Sequence, residues 1–409
     1  MSAPSHHPDA ETWLAPFGLH GFVGVWVSAS AGSFARTITQ LALSWITLEI
    51  TGSPFLVGLV LAVRMVPQML LGIPAGVVAD WFDRRTLTVA VNVASALVAA
   101  AIAGLAAGGL FSVAWIVCVS VVLGALDTLR ITVTQAYAYD LVRATRASNG
   151  LALTNLGAQL LGSIGGLVGG YALERYGAAA TFILVALAFL AGATLPSLPS
   201  TPAGMGGARP PRARPDLWRA LRLLARNRLV AILALTIVLA EILGFSNMTL
   251  LPTFAQDVFD IGASGLGTML AVRSAGGVLS LLLLARLSTG ERSGALFLAA
   301  CASLGLALLT FAWSPIYGLA LVLLAIVGAA SSALDTLGQT LLQRSAEDRE
   351  RGAAMGIWVF SVGFGPIGHL ALGTAAGVFG ASMAQAASGA LLALVAAILC
   401  LHRPLRRAR

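Results

Sequence analysis

Long apolar runs alternate with short polar segments along nearly the whole chain. Each run holds roughly 18 residues or more, enough for a helix to cross a hydrocarbon core about 30 Å thick. The runs are rich in Gly, Ala and Leu and lack the strict alternation of barrel strands. The pattern predicts an all-α membrane protein with twelve spans, numbered in chain order: 19–47, 55–79, 87–108, 111–137, 150–173, 178–196, 229–254, 263–287, 294–312, 315–341, 353–377 and 381–401.

Two short sequences occur twice at nearly the same separation. Residues 61–64, LAVR, reappear at 270–273, and residues 125–128, ALDT, reappear at 333–336, each with a charge inside a span. The repeat predicts two six-span bundles with a site between them, which suits alternating access. The predicted segments are a cytoplasmic tail 1–18, bundles 19–196 and 229–401, a linker 197–228 with an amphipathic helix on the membrane surface, and a basic cytoplasmic tail 402–409.

All 25 basic residues are Arg, and the formal net charge is +8. With both termini in the cytoplasm, most arginines fall in cytoplasmic loops, as the positive-inside rule requires. The richness in Ala, Gly and Arg is typical of a bacterial protein, so we expect a multi-pass protein of the bacterial cytoplasmic (inner) membrane. The arginines are divided among short loops, which argues against nucleic-acid binding and leaves membrane lipid as a contact.

Sequence features that enzymes require are missing. The chain has no Lys, and therefore no Walker A sequence for ATP, and it shows no metal-ligand cluster and no Ser/His/Asp arrangement. We expect no enzymatic activity, no metal and no cofactor, with a proton gradient as the energy source. Since the architecture needs only one chain, we expect a monomer to function.

A tight cluster of charge, GVVADWFDRR, separates spans 2 and 3. It resembles the first signature of the major facilitator superfamily, G-x-x-x-D-R/K-x-G-R/K-R/K, although Trp81 replaces a basic residue and an acid replaces the glycine. The form D-x-F-D-R-R is similar to the branch that includes enterobactin exporters and macrolide or multidrug exporters. The signature residues in this chain are Gly76, Asp80, Asp83, Arg84 and Arg85.

The resemblance implies the major facilitator fold and a role for this turn. Asp80 would face the N-terminus of span 11 near Gly352 and Ala353, where the helix dipole is positive, and the two arginines would pair with acidic neighbours. These contacts would hold the cytoplasmic side closed. The alternative is a solvated turn whose arginines only set topology.

Four repeated charges lie inside spans, where ionisable residues are costly and mark functional candidates. Arg64 and Asp127 belong to the first half, and Arg273 and Asp335 are their repeat mates. We expect one Arg–Asp pair in each half, joining spans 2 and 4 and spans 8 and 10. The repetition favours a structural or gating role, with substrate contact as the alternative.

Three further intramembrane charges have no repeat mate: Glu241, Arg36 and Arg130. The resemblance implies that their spans, 7, 1 and 4, line a central cavity together with span 10. Glu241 is the first candidate for binding and releasing a proton, followed by Asp127 and Asp335. The alternative is that Glu241 is held in a fixed ion pair with Arg36 or is satisfied by Asn247.

Polar and aromatic residues at one-turn spacing complete the predicted cavity, although hydrogen bonding between helices would also explain the amides. Glycines in span 5 and Gly365-Pro366 in span 11 look like the antiporter signature and favour export. We expect a proton-coupled exporter of small organic molecules, such as drugs or siderophores, with a lipid or lysolipid transporter or an importer as alternatives. The remaining cavity candidates are Gln40, Asn155, Gln159, Phe245, Met248, Gln339, Trp358 and Phe360.

Overall fold

The computed structural model describes residues 15–19, 21–197, 217–286, 293–347 and 350–401. These residues form helices and contain no strand, which confirms the predicted all-α class. Most of the two tails and of the linker lies outside the described ranges. The main helices are Phe22–Thr51, Pro54–Trp81, Arg84–Ala107, Val113–Ser197, Leu217–Arg226, Arg228–Leu243, Ala263–Arg286, Ser293–Phe311, Tyr317–Arg344, Arg351–Val362, Gly365–Phe379 and Ala381–Cys400.

Ten stretches within the described ranges are long and apolar enough to cross a membrane. The count differs from twelve for two reasons. Span 1, the helix Phe22–Thr51, carries several Ser and Thr residues and Arg36, which lower its mean hydropathy. Spans 5 and 6 form one stretch of 45 residues, Gly150–Thr194, which is far too long for a single crossing at about 1.5 Å per residue. The left-handed backbone of Gly177, with φ +76°, lies at the predicted turn between these two spans.

The predicted break between spans 4 and 5 is wrong. The helix Val113–Ser197 continues through residues 138–149, where the sequence predicted a loop. That segment contains Ala, Arg and Leu, which favour helix, and no Pro. The polar connection between the two spans is therefore helical.

Spans 7 and 11 are interrupted. Span 7 is regular only over Arg228–Leu243 and continues as a 3₁₀ turn, Phe245–Thr249, and a π turn, Phe254–Val258. Span 11 consists of Arg351–Val362 and Gly365–Phe379, with Pro366 near the start of the second part. Pro and π turns are the usual places where helices bend.

The signature turn is fastened within the first half. The Asp83 carboxylate caps span 3 by accepting hydrogen bonds from the Thr86 amide and hydroxyl, both at 2.8 Å. Arg84 Nη1 contacts Asp140 Oδ2 at 2.5 Å and donates to the Ala136 carbonyl at 2.8 Å. This Arg–Asp contact is of the kind the resemblance implied, and it ties the turn to the end of span 4.

The latch from the signature turn to span 11 depends on Asp80 and therefore stays a prediction. The Asp80 side chain lies outside the described residues, and the neighbouring Trp81 is 77% exposed. A Cβ atom added to Gly352 would have no described atom within 4 Å. The first part of span 11 packs instead against spans 7 and 10 and the linker helix Leu217–Arg226.

The position of the linker helix also differs from the prediction. We predicted that its apolar face lies on the membrane surface, but Leu223 is 4% exposed and belongs to the core of the second half. The Asn227 side chain caps the start of span 7 and donates to the Ser345 carbonyl at 2.9 Å. The linker helix is therefore packed against the second bundle.

Glycines bring the charged spans together at equivalent places in the two halves. Gly124 of span 4 lies against the carbonyl of Arg64, and Gly328 of span 10 lies against the carbonyl of Arg273. In both cases an added Cβ atom would overlap backbone, which cannot yield as a side chain does. Small residues at such crossings permit close approach of membrane helices.

Gly124→Ala should therefore destabilise the protein by about 1–3 kcal/mol, the usual cost of overpacking. The matched control is Gly377→Ala in span 11, where an added Cβ would meet no atom within 4 Å. Thermal unfolding of the purified protein in detergent measures both. Equal midpoints for the two variants would contradict the close crossing.

Candidate functional site

A buried ion-pair cluster lies in the first half. Asp127 Oδ2 is 2.6 Å from Arg64 Nη2, and Asp127 Oδ1 is 2.8 Å from Arg130 Nη2. The predicted Arg64–Asp127 contact between spans 2 and 4 is therefore present, and Arg130 adds a second guanidinium to the same carboxylate. Arg36 of span 1 interacts electrostatically with all three groups. Three guanidinium groups thus surround one carboxylate.

The cluster leaves hydrogen-bond donors unused. Arg64 Nη1 and Arg130 Nε are buried and have no hydrogen-bond partner among the described residues. Arg130 lies 6.0 Å from the centroid of the Phe189 ring, a cation–π arrangement. Gly32 allows this position, because an added Cβ atom would collide with the Arg130 guanidinium. The sequence analysis assigned no role to Phe189 or Gly32, because an aromatic residue or a glycine in an apolar span carries no signal of its own.

The second half does not repeat this arrangement. We expected an ion pair between Arg273 and Asp335, but no such contact within 4.0 Å exists between these two described residues. Arg273 interacts electrostatically with Glu241 instead, and Asp335 lies beside Trp358. The expectation is wrong because Glu241, which has no counterpart in the first half, supplies a competing negative charge.

Glu241 is buried, with 6% of its surface exposed, and has no described cation within ion-pair distance. Neither alternative partner holds it in this conformation. Arg36 lies in the first-half cluster, and both side-chain amide atoms of Asn247 are without a hydrogen-bond partner among the described residues. Glu241 is therefore a buried carboxylate without a fixed counter-charge.

The two charged clusters lie at the same depth. A Cβ atom added to Gly365 of span 11 would be 3.5 Å from Glu241 Oε2 and 2.7 Å from Met65 Cε. Met65 follows Arg64 directly in span 2, so the two halves meet here. The sequence analysis did not find Met65, because an apolar residue in an apolar span carries no signal of its own.

The other cavity candidates are spread over different environments. Asn155 and Phe360 are exposed, and Phe360 packs edge-on against Phe364 with ring centroids 5.3 Å apart. The half-buried candidates are Arg36, Gln40, Gln159, Phe245, Met248, Gln339 and Trp358. Their role as substrate contacts stays a prediction.

The halves are closed at one end, which we call the far face and which carries the turns 51–54, 174–177 and 259–263. Gly170 of span 5 lies against the Ala263 carbonyl, and Gly58 of span 2 lies against the His369 carbonyl of span 11. Within the glycine run of span 5, Gly162 instead faces span 1. One apolar core at this end contains buried residues from both halves.

The opposite end, the basic face, carries the turn 81–84 and residues 344–347 and 350–351. Here Met69 and Leu70 of span 2 are more than half exposed, as are Val359 and Phe360 of span 11. The buried core at this end of the second half is formed by residues of that half and the linker helix. The described cores at this end each belong to one half, and we call the region between the halves here the gap.

A polar contact across the halves completes the far-face closure. Glu174, which follows span 5 outside the membrane segments, accepts a hydrogen bond of 2.8 Å from the Ser264 amide at the start of span 8. Hydrogen bonding by Ser264 lowers the pKa of the Glu174 carboxyl. A carboxylate at a helix N-terminus also interacts favourably with the helix dipole. The sequence alone could not pair residues so far apart.

Removing Asp127 should be costly. Asp127→Asn leaves three guanidinium groups without their carboxylate, and we expect a loss of about 3–5 kcal/mol, as for other broken buried pairs. Arg64→Gln should also destabilise, and the double variant should cost less than the sum of the single changes. Thermal unfolding in detergent measures the cycle, with the exposed Glu49→Gln as control. Strict additivity would contradict the pairing.

The far face should loosen in acid. Because the pKa of Glu174 is lowered in the folded state, its contact with span 8 contributes fully above the ordinary range of a carboxyl, about pH 4.3, and is lost as pH falls through the lowered pKa. Spin labels at Tyr176 and Val258 in a cysteine-free background would report a wider far face at low pH. Glu174→Gln should widen it at pH 7, whereas Asp257→Asn on the same face should not.

Comparisons with known proteins agree with this architecture. Residues 11–408 match the model of the family described as transmembrane secretion effector. The staphyloferrin A transporter of Staphylococcus aureus is 25% identical over 351 residues, covering 84% of this chain and 86% of the relative.

Solved structures share the fold at low sequence identity. A bacterial homologue of the human lysosomal transporter Spinster, inward-facing and unoccupied, has a TM-score of 0.74 and 15% identity and covers 94% of this chain and 97% of its own. The nucleoside transporter NupG has a TM-score of 0.72 and 14% identity, with coverages of 93% and 98%. The chain therefore belongs to the transmembrane secretion effector family of the major facilitator superfamily, and it is a multi-pass secondary transporter rather than an enzyme.

Proposed function

We propose that the protein is a proton-coupled exporter, an antiporter of small organic molecules such as drugs or siderophores that works by alternating access. The observation that carries this proposal is Glu241, a buried carboxylate at the meeting point of the halves without a counter-charge at ion-pair distance. An unpaired charge is expensive in such a place, and binding a proton removes that cost.

The other acids are less suited to carry the proton. Asp127 is neutralised by two guanidinium groups, so a proton would have to displace those contacts. Asp335 is half-buried and lies beside Trp358, and it interacts electrostatically with Glu241. We therefore assign proton binding to Glu241, with Asp335 as its electrostatic neighbour.

We propose export as the direction of transport. With both termini in the cytoplasm of a bacterial inner membrane, the basic face is cytoplasmic and the gap between the halves lies at the cytoplasmic end. An exporter loads its substrate from that side. Release of the far-face contacts and closure of the basic face would then expose the site to the outside.

A relative supports the substrate class. The staphyloferrin A transporter of Staphylococcus aureus matches most of the chain, and its name indicates a small organic substrate. The candidate cavity combines aromatic residues with both signs of charge, which suits organic molecules that are partly apolar. We propose that one chain, with lipid around it, carries out the cycle.

Glu241→Gln should abolish proton-driven export while leaving the protein folded. A glutamine is nearly isosteric but cannot take up or release a proton, so we expect at least a tenfold loss of transport against a gradient. Inside-out vesicles with a lumenal pH dye would be given a panel of dyes, antibiotics and siderophores. Each transported compound should release protons from the lumen of wild-type vesicles, and a protonophore should abolish accumulation.

The control is Glu49→Gln, which changes an exposed glutamate at the end of span 1. Exchange of labelled for unlabelled compound needs no proton, so it should fall less in Glu241→Gln than transport against a gradient does. Proton movement in the same direction as the compound would show an importer and overturn the proposed direction. Unchanged proton-driven export in Glu241→Gln would remove this residue from the coupling.

A further inference from the structure

The first half holds a surplus of fixed positive charge. Arg36, Arg64 and Arg130 stand against one carboxylate, Asp127, and guanidinium groups stay protonated in proteins. Arg64 Nη1 and Arg130 Nε have no partner among the described residues, and their side chains are about nine-tenths buried or more. Arg36 is half-buried and forms no ion pair with a described residue. Such a surplus favours an incoming anion.

The second half has the opposite balance. Glu241 interacts electrostatically with the carboxylate Asp335 and with one cation, Arg273, and Arg273 forms no described ion pair with either acid. Asp335 is half-buried, so it is not sealed inside the core of the second half. This side therefore favours a cation.

The two sides come within a few residues of each other at Gly365 of span 11. Met65, next to Arg64 in the first half, and Glu241 in the second half both reach Gly365 of span 11. A molecule in the gap at this depth meets fixed positive charge on one side and carboxylates on the other. This charge asymmetry exists only between the two halves, since the first half has the positive surplus and the second half has the unpaired carboxylates.

We propose that this gap is a bipolar binding site for amphoteric organic molecules, with the substrate carboxylate held by Arg36 and the free N–H groups of the first-half cluster, and a protonated amine held by Asp335 and Glu241. This inference rests on the proposed function, since it names the substrate class of the same site. Antiport requires substrate and proton to compete, and an amine competes with a proton for the acidic side. A simple anion would instead bind better when Glu241 is protonated.

Four fluorescent probes separate the two charges. Nα-dansyl-lysine and Nε-dansyl-lysine carry both a carboxylate and an ammonium at different separations. Dansyl-norleucine lacks the amine of the first isomer, and dansylcadaverine lacks its carboxylate. Equilibrium binding to the purified full chain in lipid nanodiscs would be followed by dansyl emission. We expect one lysine isomer to bind at least tenfold tighter than both singly charged probes.

Variants test which residue binds the carboxylate of the probe and which binds its ammonium group. In Arg36→Gln, the lysine isomer should no longer bind more tightly than dansylcadaverine. In Asp335→Asn, it should no longer bind more tightly than dansyl-norleucine. Arg36→Lys should recover part of the first advantage, because it keeps the charge but loses the guanidinium fork. The control is Arg286→Gln, an exposed arginine at the end of span 8. Thermal unfolding identifies any variant that fails to fold, and Arg36→Lys then replaces Arg36→Gln.

Several results would overturn the inference. These are equal binding of the lysine isomers and dansyl-norleucine, the same loss for every probe in Arg36→Gln, or no saturable binding of any probe. The measurement uses no gradient, so it stands apart from the transport assay. A bipolar preference without proton-driven export would contradict the proposed function only, and proton-driven export without that preference would contradict this inference only.

Discussion

Charge buried among apolar helices is costly, and the contact of Asp127 with Arg64 and Arg130 offsets part of that cost in the first half. The contact joins span 2 to span 4 and fixes three side chains in one place. It is possible only because Gly124 lets the two backbones approach closely. Because the first half has three guanidinium groups for one carboxylate, positive charge is left over around Arg36. In the second half, Glu241 has no described cation within ion-pair distance.

The sequence predicts much of this architecture. Repeated apolar runs give the helical class, and the repeated LAVR and ALDT segments give the two bundles and the pair between spans 2 and 4. The repeat misleads at Arg273, because the unrepeated Glu241 changes its surroundings. The contact of Glu174 with Ser264 depends on how the bundles dock, which no local pattern encodes. The helical connection at 138–149 was missed because its polar residues are equally common in loops.

The far face and the basic face are held by different kinds of contact. At the far face, backbone lies against backbone at Gly58 and Gly170, and the exposed carboxylate of Glu174 bonds across the halves beside them. Close glycine contacts depend strongly on distance, so they are lost together when the halves separate. At the basic face the signature turn is fastened by Arg84 to Asp140 within its own half, so that half can move there without breaking this pair.

The interruption of span 7 gives the molecule a hinge. Its first part, Arg228–Leu243, is anchored to span 12 by the hydrogen bond from Ser388 to the Leu243 carbonyl, while Leu250 and Phe254 belong to the far-face core shared with the first half. Bending at the 3₁₀ turn Phe245–Thr249, which lies between them, needs few broken hydrogen bonds. The border between residues packed in the second bundle and residues packed in the shared far-face core therefore crosses span 7 itself, and these packing units do not coincide with the two copies of the repeat.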